Sequence, residues 1–333
     1  MRAMVLRKPA LSEQSPLRLV DLPDPTPGPA EVRVRIHCCG LCHTDLHTVE
    51  GDLSLPKLPV VPGHQIVGAI EAVGSNVQKL KIGDRVGIPW LYSTDGSCQY
   101  CHHQMENLCE RAQFTGYHVN GGYAELCVVR EEFAHPLPAV FSDENAAPLL
   151  CAGVIGYRSY RLSGAVRGDR LGLYGFGASA HLVLQLARHQ GCEVYVFTRG
   201  SAHRELAEKL GAVWVGSAED KPPQPLDASV IFAPAGALVP LALGHLRKAG
   251  TLTLAGITMT QIPPLDYDLL YHERVVRSVA NSTRMDCREF LALAAEIPVQ
   301  TSIQVYPLDD ANRALADLKH SRLEAAGVLR IAA

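Results

Sequence analysis

The chain has 333 residues, of which 47% are hydrophobic and 20% charged, and a formal net charge of −3. The length suits about two domains and the composition an ordinary soluble globular enzyme. The near-neutral charge gives no ground for a nucleic-acid or anionic-membrane partner. No apolar run approaches the ~18–20 residues that span a bilayer, and the opening MRAMVLRKPA lacks the apolar core of a secretory signal, so cytoplasmic residence is expected.

The first 150 residues carry short β-type runs broken by Gly and Pro, at 31–37, 67–73 and 84–88, a spacing that predicts a barrel-like β domain. The texture changes near residue 151. Strands are predicted at 170–174, 193–198, 228–233 and 251–255, and helices at 178–190, 202–210 and 237–248. Strand and helix in alternation mean βαβ units and a parallel sheet. Two helices, 288–296 and 308–319, and a last strand near 328–331 complete the pattern. The Pro-rich stretch 221–225 reads as a surface loop inside the second domain.

Cys42, His64 and Cys151 offer two thiolates and an imidazole. Three such ligands suit zinc with one coordination position left open, as a catalytic site requires. Thr44 and His47 lie close after Cys42, a hydroxyl and an imidazole able to carry a proton away from the metal. Asp95, Cys98, Cys101 and Cys109 follow the spacing D-x2-C-x2-C-x7-C, and closely spaced thiolates on a turn-rich loop can close a structural zinc site with the Asp95 carboxylate as fourth ligand. His102 and His103 are nearby competitors. The remaining cysteines, Cys38, Cys39, Cys127, Cys192 and Cys287, fit no ligand pattern and read as buried small hydrophobes. Ten cysteines in a chain without a signal argue against a disulfide framework.

Gly175-Phe176-Gly177-Ala178-Ser179-Ala180 follows an apolar strand and opens a helix, the context in which a G-x-G-x-x-A turn binds a dinucleotide. Gly175 allows the tight turn, Gly177 lets the backbone approach a pyrophosphate, and Ala180 lets helix and strand pack closely. The free N–H groups of the helix face the phosphates. An NAD-binding strand should end in Asp or Glu; here it ends in Thr198-Arg199, and a guanidinium suits a 2′-phosphate, so NADP(H) is favoured over NAD(H).

These segments resemble the zinc-dependent medium-chain alcohol dehydrogenases, the cinnamyl-alcohol-dehydrogenase-like branch in particular. The resemblance runs over nearly the whole chain. It rests on Gly40-Leu41-Cys42-His43-Thr44-Asp45-Leu46-His47, Pro62-Gly63-His64, Glu106-Asn107-Leu108-Cys109, Gly121-Gly122-Tyr123-Ala124-Glu125, Cys151-Ala152-Gly153 and the glycine-rich turn. It implies an α/β protein: a GroES-like β-rich catalytic domain from residues 1–152 and 288–333, and a Rossmann-fold, doubly wound parallel sheet from 153–287, with the active site in the cleft between them. It also implies that Cys42, His64 and Cys151 hold a catalytic zinc, that Thr44 and His47 form the proton relay, that His43 reaches the cofactor pyrophosphate, and that Asp45 supports the ligands from behind. Four positions depart from the family: Gln65 stands where Glu usually follows the ligand His, Asp95 where the lobe's first Cys stands, Ile155 where a Thr often contacts the nicotinamide, and Thr198 where an acid binds ribose.

The activity expected is reversible hydride transfer between a primary alcohol and NAD(P), with two zinc ions per subunit. Trp90 is a candidate wall of the substrate pocket. An edge strand near 274–280 could pair across a two-fold axis, so a homo-oligomer, dimer or tetramer, is expected. The competing readings are a metal-free quinone or enoyl reductase of the same superfamily, which lacks both cysteine constellations, and a non-catalytic zinc- and cofactor-binding protein, which would need no proton relay.

Overall fold

In the strand Glu31–Gly40 the residues Val32, Val34 and Ile36 are buried and their neighbours are not, the period-two pattern of a half-buried strand. It pairs antiparallel with Gln65–Val73 on one side and with Ala326–Arg330 on the other. Gly40 stands opposite Gln65, and this register brings the segments carrying Cys42 and His64 to the same end of the sheet. Arg85–Ile88 and His135–Pro136 extend the sheet beyond Gln65–Val73, Ile303–Pro307 extends it beyond Ala326–Arg330, and Leu126–Arg130 also pairs with Glu31–Gly40. Tyr123, Phe133, Ile36, Ile66, Ile70 and Ile88 are among its fully buried side chains.

The computed structural model describes residues 1–297, 299–323 and 325–331. Pro298, Glu324, Ala332 and Ala333, which fall in the segment 288–333 discussed above, lie outside the described residues. The chain divides into two units. The first, Met1–Cys151 with Ser282–Ala295 and the segment from Thr301 on, holds the mixed sheet; the second is Ala152–Asn281 with Glu296–Gln300.

The second unit is built on a six-stranded sheet in the order Trp214–Gly216, Glu193–Phe197, Arg170–Tyr174, Leu226–Ile231, Leu246–Leu254, Val275–Ser278, every neighbouring pair parallel. The order turns back at Arg170–Tyr174, the first strand in sequence, which is where open α/β sheets bind ligands at the strands' carboxyl ends. Helices Ala178–His189 and Ser201–Lys209 link the first three strands. Val275–Ser278 closes one edge with all four residues exposed.

The extents of several elements differ from the sequence pattern, among them the helix expected at 308–319, which is a 3₁₀ turn, Leu308–Asp310, followed by the helix Ala311–Lys319. The helix expected at 237–248 ends at His245, because Leu246 enters the sheet opposite Leu226 and its carbonyl accepts from Arg274 Nη2 at 2.8 Å. Pairing in the sheet overrides local helical periodicity there. The helix expected at 288–296 starts earlier and runs Arg284–Glu296. Thr283 caps it: its Oγ1 accepts from the Asp286 N–H at 3.1 Å, and Asp286 Oδ2 accepts from the Thr283 N–H at 2.9 Å.

Candidate active site and metal centres

Cys42 ends a turn with extended backbone and opens the helix His43–Glu50. Asp45, in that helix's first turn, accepts from the Cys42 N–H at Oδ2, 3.0 Å away. Its other oxygen accepts from the Gly63 N–H at 3.0 Å and from His64 Nδ1 at 2.9 Å. Both side chains are almost wholly buried. A carboxylate only accepts, so His64 carries its proton on Nδ1 and turns Nε2 to the thiols.

His64 Nε2 lies 3.3 Å from Cys151 Sγ, and the two sulfurs of Cys42 and Cys151 are 3.8 Å apart. A tetrahedral zinc with bonds of ~2.3 Å to sulfur and ~2.0–2.1 Å to nitrogen needs edges of roughly 3.8 Å and 3.6 Å between such donors. The three donors therefore fit one metal ion. Cys42 is held well below the ordinary thiol range by the hydrogen bond from Cys151 and by His64, while Cys151, sharing that bond as the protonated partner, is pushed up. Burial opposes the charge on His64, but Asp45 and the Cys42 sulfur outweigh it and lift its pKa to about 10.

Thr44 Oγ1 stands 3.6 Å from Cys42 Sγ and is buried, and His47 follows one turn along the same helix. His47 is mostly covered, and its Nδ1 meets Asp52 Oδ2 at 2.7 Å. His43 is exposed in the helix's first turn. Trp90 stacks on Phe114 with ring centroids 4.4 Å apart and lies 6.0 Å from the His64 ring. Its buried Nε1 has no hydrogen-bond partner among the described residues. Gln65 is buried in the sheet, packed where a side chain at Gly40 would otherwise sit.

The second constellation forms on a loop and the short helix Gln99–His102. Asp95, Cys98, Cys101 and Cys109 bring one donor atom each within 4.8 Å of one another. Cys98 and Cys101 sulfurs are 3.6 Å apart, and Asp95 Oδ1 is 3.4 Å from Cys101 Sγ. The same Oδ1 accepts from the main-chain N–H groups of Ser97 and Cys98, both at 2.9 Å, which hold its pKa far below the ordinary carboxylate range. Asp95 is thus preset as an anion among three thiols. His103 Nδ1 is instead engaged with the Gln99 carbonyl at 2.7 Å.

Glu106, in the following turn, is nearly buried and is gripped by Arg284, whose Nη2 reaches Oε2 at 2.5 Å and whose main-chain N–H reaches Oε1 at 2.8 Å. The pair ties the cysteine loop to the helix Arg284–Glu296. Sequence reasoning missed Arg284, 178 residues away, and the Asp52 contact.

In the second unit Gly175 has φ +85°, Gly177 opens the helix Ala178–His189, and Phe176 and Ala180 are buried. A Cβ placed on Gly177 would meet nothing within 4 Å, so the main chain of the turn faces open space, room that a pyrophosphate can use. Ala178 and Ser179 supply the helix's first turn. Thr198 is buried, with its N–H on the Gly216 carbonyl at 2.8 Å and its own carbonyl accepting from Arg204 Nε at 3.2 Å. Arg199 is exposed beyond it. Ile155 lies in the helix Ala152–Ser163.

Residues 28–139 match the alcohol dehydrogenase GroES-like domain, and residues 180–296 match the zinc-binding dehydrogenase domain. The chain is 47% identical to a protein of Mycobacterium tuberculosis named probable alcohol dehydrogenase AdhA, across 99% of this chain and 97% of that one. Among solved structures, the cinnamyl alcohol dehydrogenase of Sorghum bicolor superposes with a TM-score of 0.89 at 27% identity over 99% of this chain and 97% of its own. The CAD of Helicobacter pylori, solved with NADP(H), superposes with a TM-score of 0.88 at 25% identity over 99% of both chains. The chain belongs to the zinc-binding medium-chain alcohol dehydrogenases, in their cinnamyl-alcohol-dehydrogenase-like branch. Its GroES-like and Rossmann-type architecture is that family's, and its reaction class is that of an alcohol dehydrogenase, an oxidoreductase acting on small alcohols.

Proposed function

We propose that the protein is a zinc-dependent dehydrogenase of primary alcohols, reversible to the aldehyde, that favours NADP(H). The observation that carries this reading is the spacing of the Cys42, His64 and Cys151 donors, which matches three corners of a zinc tetrahedron and leaves the fourth open. Zinc bound there supplies a Lewis acid that polarises a substrate oxygen, and a nicotinamide supplies the hydride chemistry. Asp45 fixes the His64 ring and the Cys42 main chain so that both donors are set before metal arrives. Thr44 Oγ1 takes the substrate proton and hands its own on, and His47 is the acceptor at the far end of the relay. Thr198, Arg199 and the turn Gly175–Ala180 would receive the cofactor, with His43 on its pyrophosphate. Asp95, Cys98, Cys101 and Cys109 would hold a second, structural zinc.

Trp90 narrows the space beside His64, which favours primary over bulky secondary alcohols. Oxidation releases a proton, so rising pH draws the equilibrium towards aldehyde, and aldehyde reduction is favoured near neutrality. The exposed edge strand Val275–Ser278 supports pairing with a second copy in a dimer or tetramer. Ten free cysteines, with no disulfide among the described residues, suit a reducing, cytoplasmic setting, and no described helix is long and apolar enough to cross a membrane.

Initial rates for a panel of alcohols and aldehydes with NADPH and NADH test this reading. Turnover of primary alcohols and their aldehydes with the lower KM for NADPH is expected. Cofactor binding with no turnover of any alcohol would contradict it.

A further inference from the structure

Asp45 sets Cys42 and His64, and the third donor, Cys151, is held by different contacts. Cys151 directly follows the short helix Asp143–Ala146 and the 3₁₀ turn Ala147–Leu150. A segment this short does not hold a fixed course by its own hydrogen bonds, so what it docks on decides where Cys151 comes to lie. The strand Arg85–Ile88 holds both of its ends. Arg85 Nε donates to Asp143 Oδ1 at 2.6 Å, and Nη1 and Nη2 donate to the carbonyls of Pro138 and Phe141 at 3.2 and 2.9 Å. Two residues on, along the same face of the strand, Gly87 leaves the space that Leu150 fills: a Cβ there would lie 2.5 Å from Leu150 Cδ2. The other oxygen of Asp143, Oδ2, meets His37 Nδ1 of the strand Glu31–Gly40 at 2.7 Å. Burial opposes the charge on Asp143, but Arg85 and His37 outweigh it and hold its pKa below the ordinary value.

We propose that Asp143 is a positioning residue for the catalytic metal centre: gripped by Arg85 and His37, it fixes the segment that carries Cys151, so that the Cys151 sulfur stands at the third corner of the donor set. This rests on the reading of Cys151 as a zinc ligand. Leu150 is the peg next to the donor and Asp143 the anchor eight residues before it. With the anchor released, Arg85 keeps the Pro138 and Phe141 carbonyls but no longer holds the start of the helix. The segment can then turn about Leu150, and a donor set has to be held to about half an ångström to bind its metal well. The carboxylate acts through the chain that leads to Cys151, as a supporting partner acts on the ligand it orients.

The test reads metal binding in the full-length zinc protein. Asp143→Asn removes the charge at nearly constant size, and Arg85→Gln breaks the same contact from the other side. In both variants the zinc lost first to a chelator should be held roughly tenfold more weakly than in wild type, while the tighter ion is retained as before. Cobalt placed in the emptied weaker site should show a sulfur-to-cobalt absorption band that is shifted and weakened, a change that a loss of general stability would not produce. Wild-type chelator competition and a wild-type cobalt spectrum in both variants, with the weaker ion lost in Cys151→Ala, would overturn the proposal alone. Equal loosening of both ions would make Asp143 and Arg85 a stabilising pair only and overturn it as well. Wild-type affinity for the weaker ion in Cys151→Ala would overturn the reading of Cys151 as a ligand, and the part of Asp143 with it.

Discussion

The Nδ1 of His64 donates to Oδ1 of Asp45 at 2.9 Å, and the opposite oxygen of the same carboxylate accepts from the main chain of Cys42. One buried anion therefore orients two of the three donors of the proposed catalytic centre. Asp45→Asn keeps the size but sets an amide NH₂ against either the Cys42 N–H or the His64 N–H. Zinc affinity at this centre should fall by about 10- to 100-fold, as read by competition with a chelator, while a second, tighter zinc remains. Unaltered chelator competition would detach Asp45 from metal binding.

Two donor sets of different make-up predict two zinc ions per chain with different consequences when lost. Cys42→Ser should retain one zinc, stay folded and lose turnover. Cys101→Ser should also retain one zinc but lower the unfolding temperature, because Asp95 and three thiols hold the loop together. Asp95→Ala should leave the structural ion more readily chelated. Elemental analysis of chelator-free protein giving a single zinc that disappears with Cys42→Ser would contradict the pair of sites.

At the strand tip, an exposed Arg199 and no acid at Thr198 favour a 2′-phosphate. A charge-assisted contact of about 1.5–3 kcal/mol corresponds to roughly a 10- to 150-fold rise in KM for NADPH in Arg199→Ala, with KM for NADH little moved. Thr198→Asp should shift preference towards NAD(H). A wild-type KM lower for NADH than for NADPH would reverse the assignment. Arg204, which already bonds the Thr198 carbonyl, is the second guanidinium to vary if Arg199→Ala has a small effect.

Burial alone would raise the pKa of Glu106, but the guanidinium and main-chain N–H of Arg284 outweigh it and hold it below the ordinary value. A carboxylate depressed on folding stabilises the native state above its unfolded pKa of ~4.3, and the contribution is lost as pH falls through the lower folded value. Arg284→Ala should cost about 2 kcal/mol at neutral pH, because Glu106 keeps the residue-284 main-chain N–H but loses its guanidinium partner. The difference in unfolding free energy from wild type should shrink in acid. Equal stability of wild type and Arg284→Ala at neutral pH would show that the pair does not tie the cysteine loop to the helix.

What the sequence made legible were features with local signatures. The glycine-rich turn announces itself between strand and helix, and the cysteine loop shows its spacing within fifteen residues, from Asp95 to Cys109. Cys42 and His64 were readable because each sits in a short distinctive segment, although their meeting depends on the register of Gly40 against Gln65. Contacts without local signature stayed hidden. Asp52 faces His47 only because Gly51 turns left-handed, and Arg284 reaches Glu106 across 178 residues. The early start of the helix Arg284–Glu296 did leave a signal, Thr283 three residues before Asp286, a reciprocal cap written with Asp in place of the usual Glu. The early end of the helix at His245 left none, since it is set by the pairing of Leu246 with Leu226.

The central claim is that a substrate hydroxyl loses its proton beside Cys42 through Thr44, at a metal held by Cys42, His64 and Cys151. The most direct test is the rate of primary-alcohol oxidation by Thr44→Ala and Thr44→Ser, each with its zinc content measured. Thr44→Ser keeps the hydroxyl and should retain most of the activity, while Thr44→Ala, with both zinc ions in place, should lose roughly 10²- to 10⁴-fold. Oxidation by fully metallated Thr44→Ala at the wild-type rate would contradict the account.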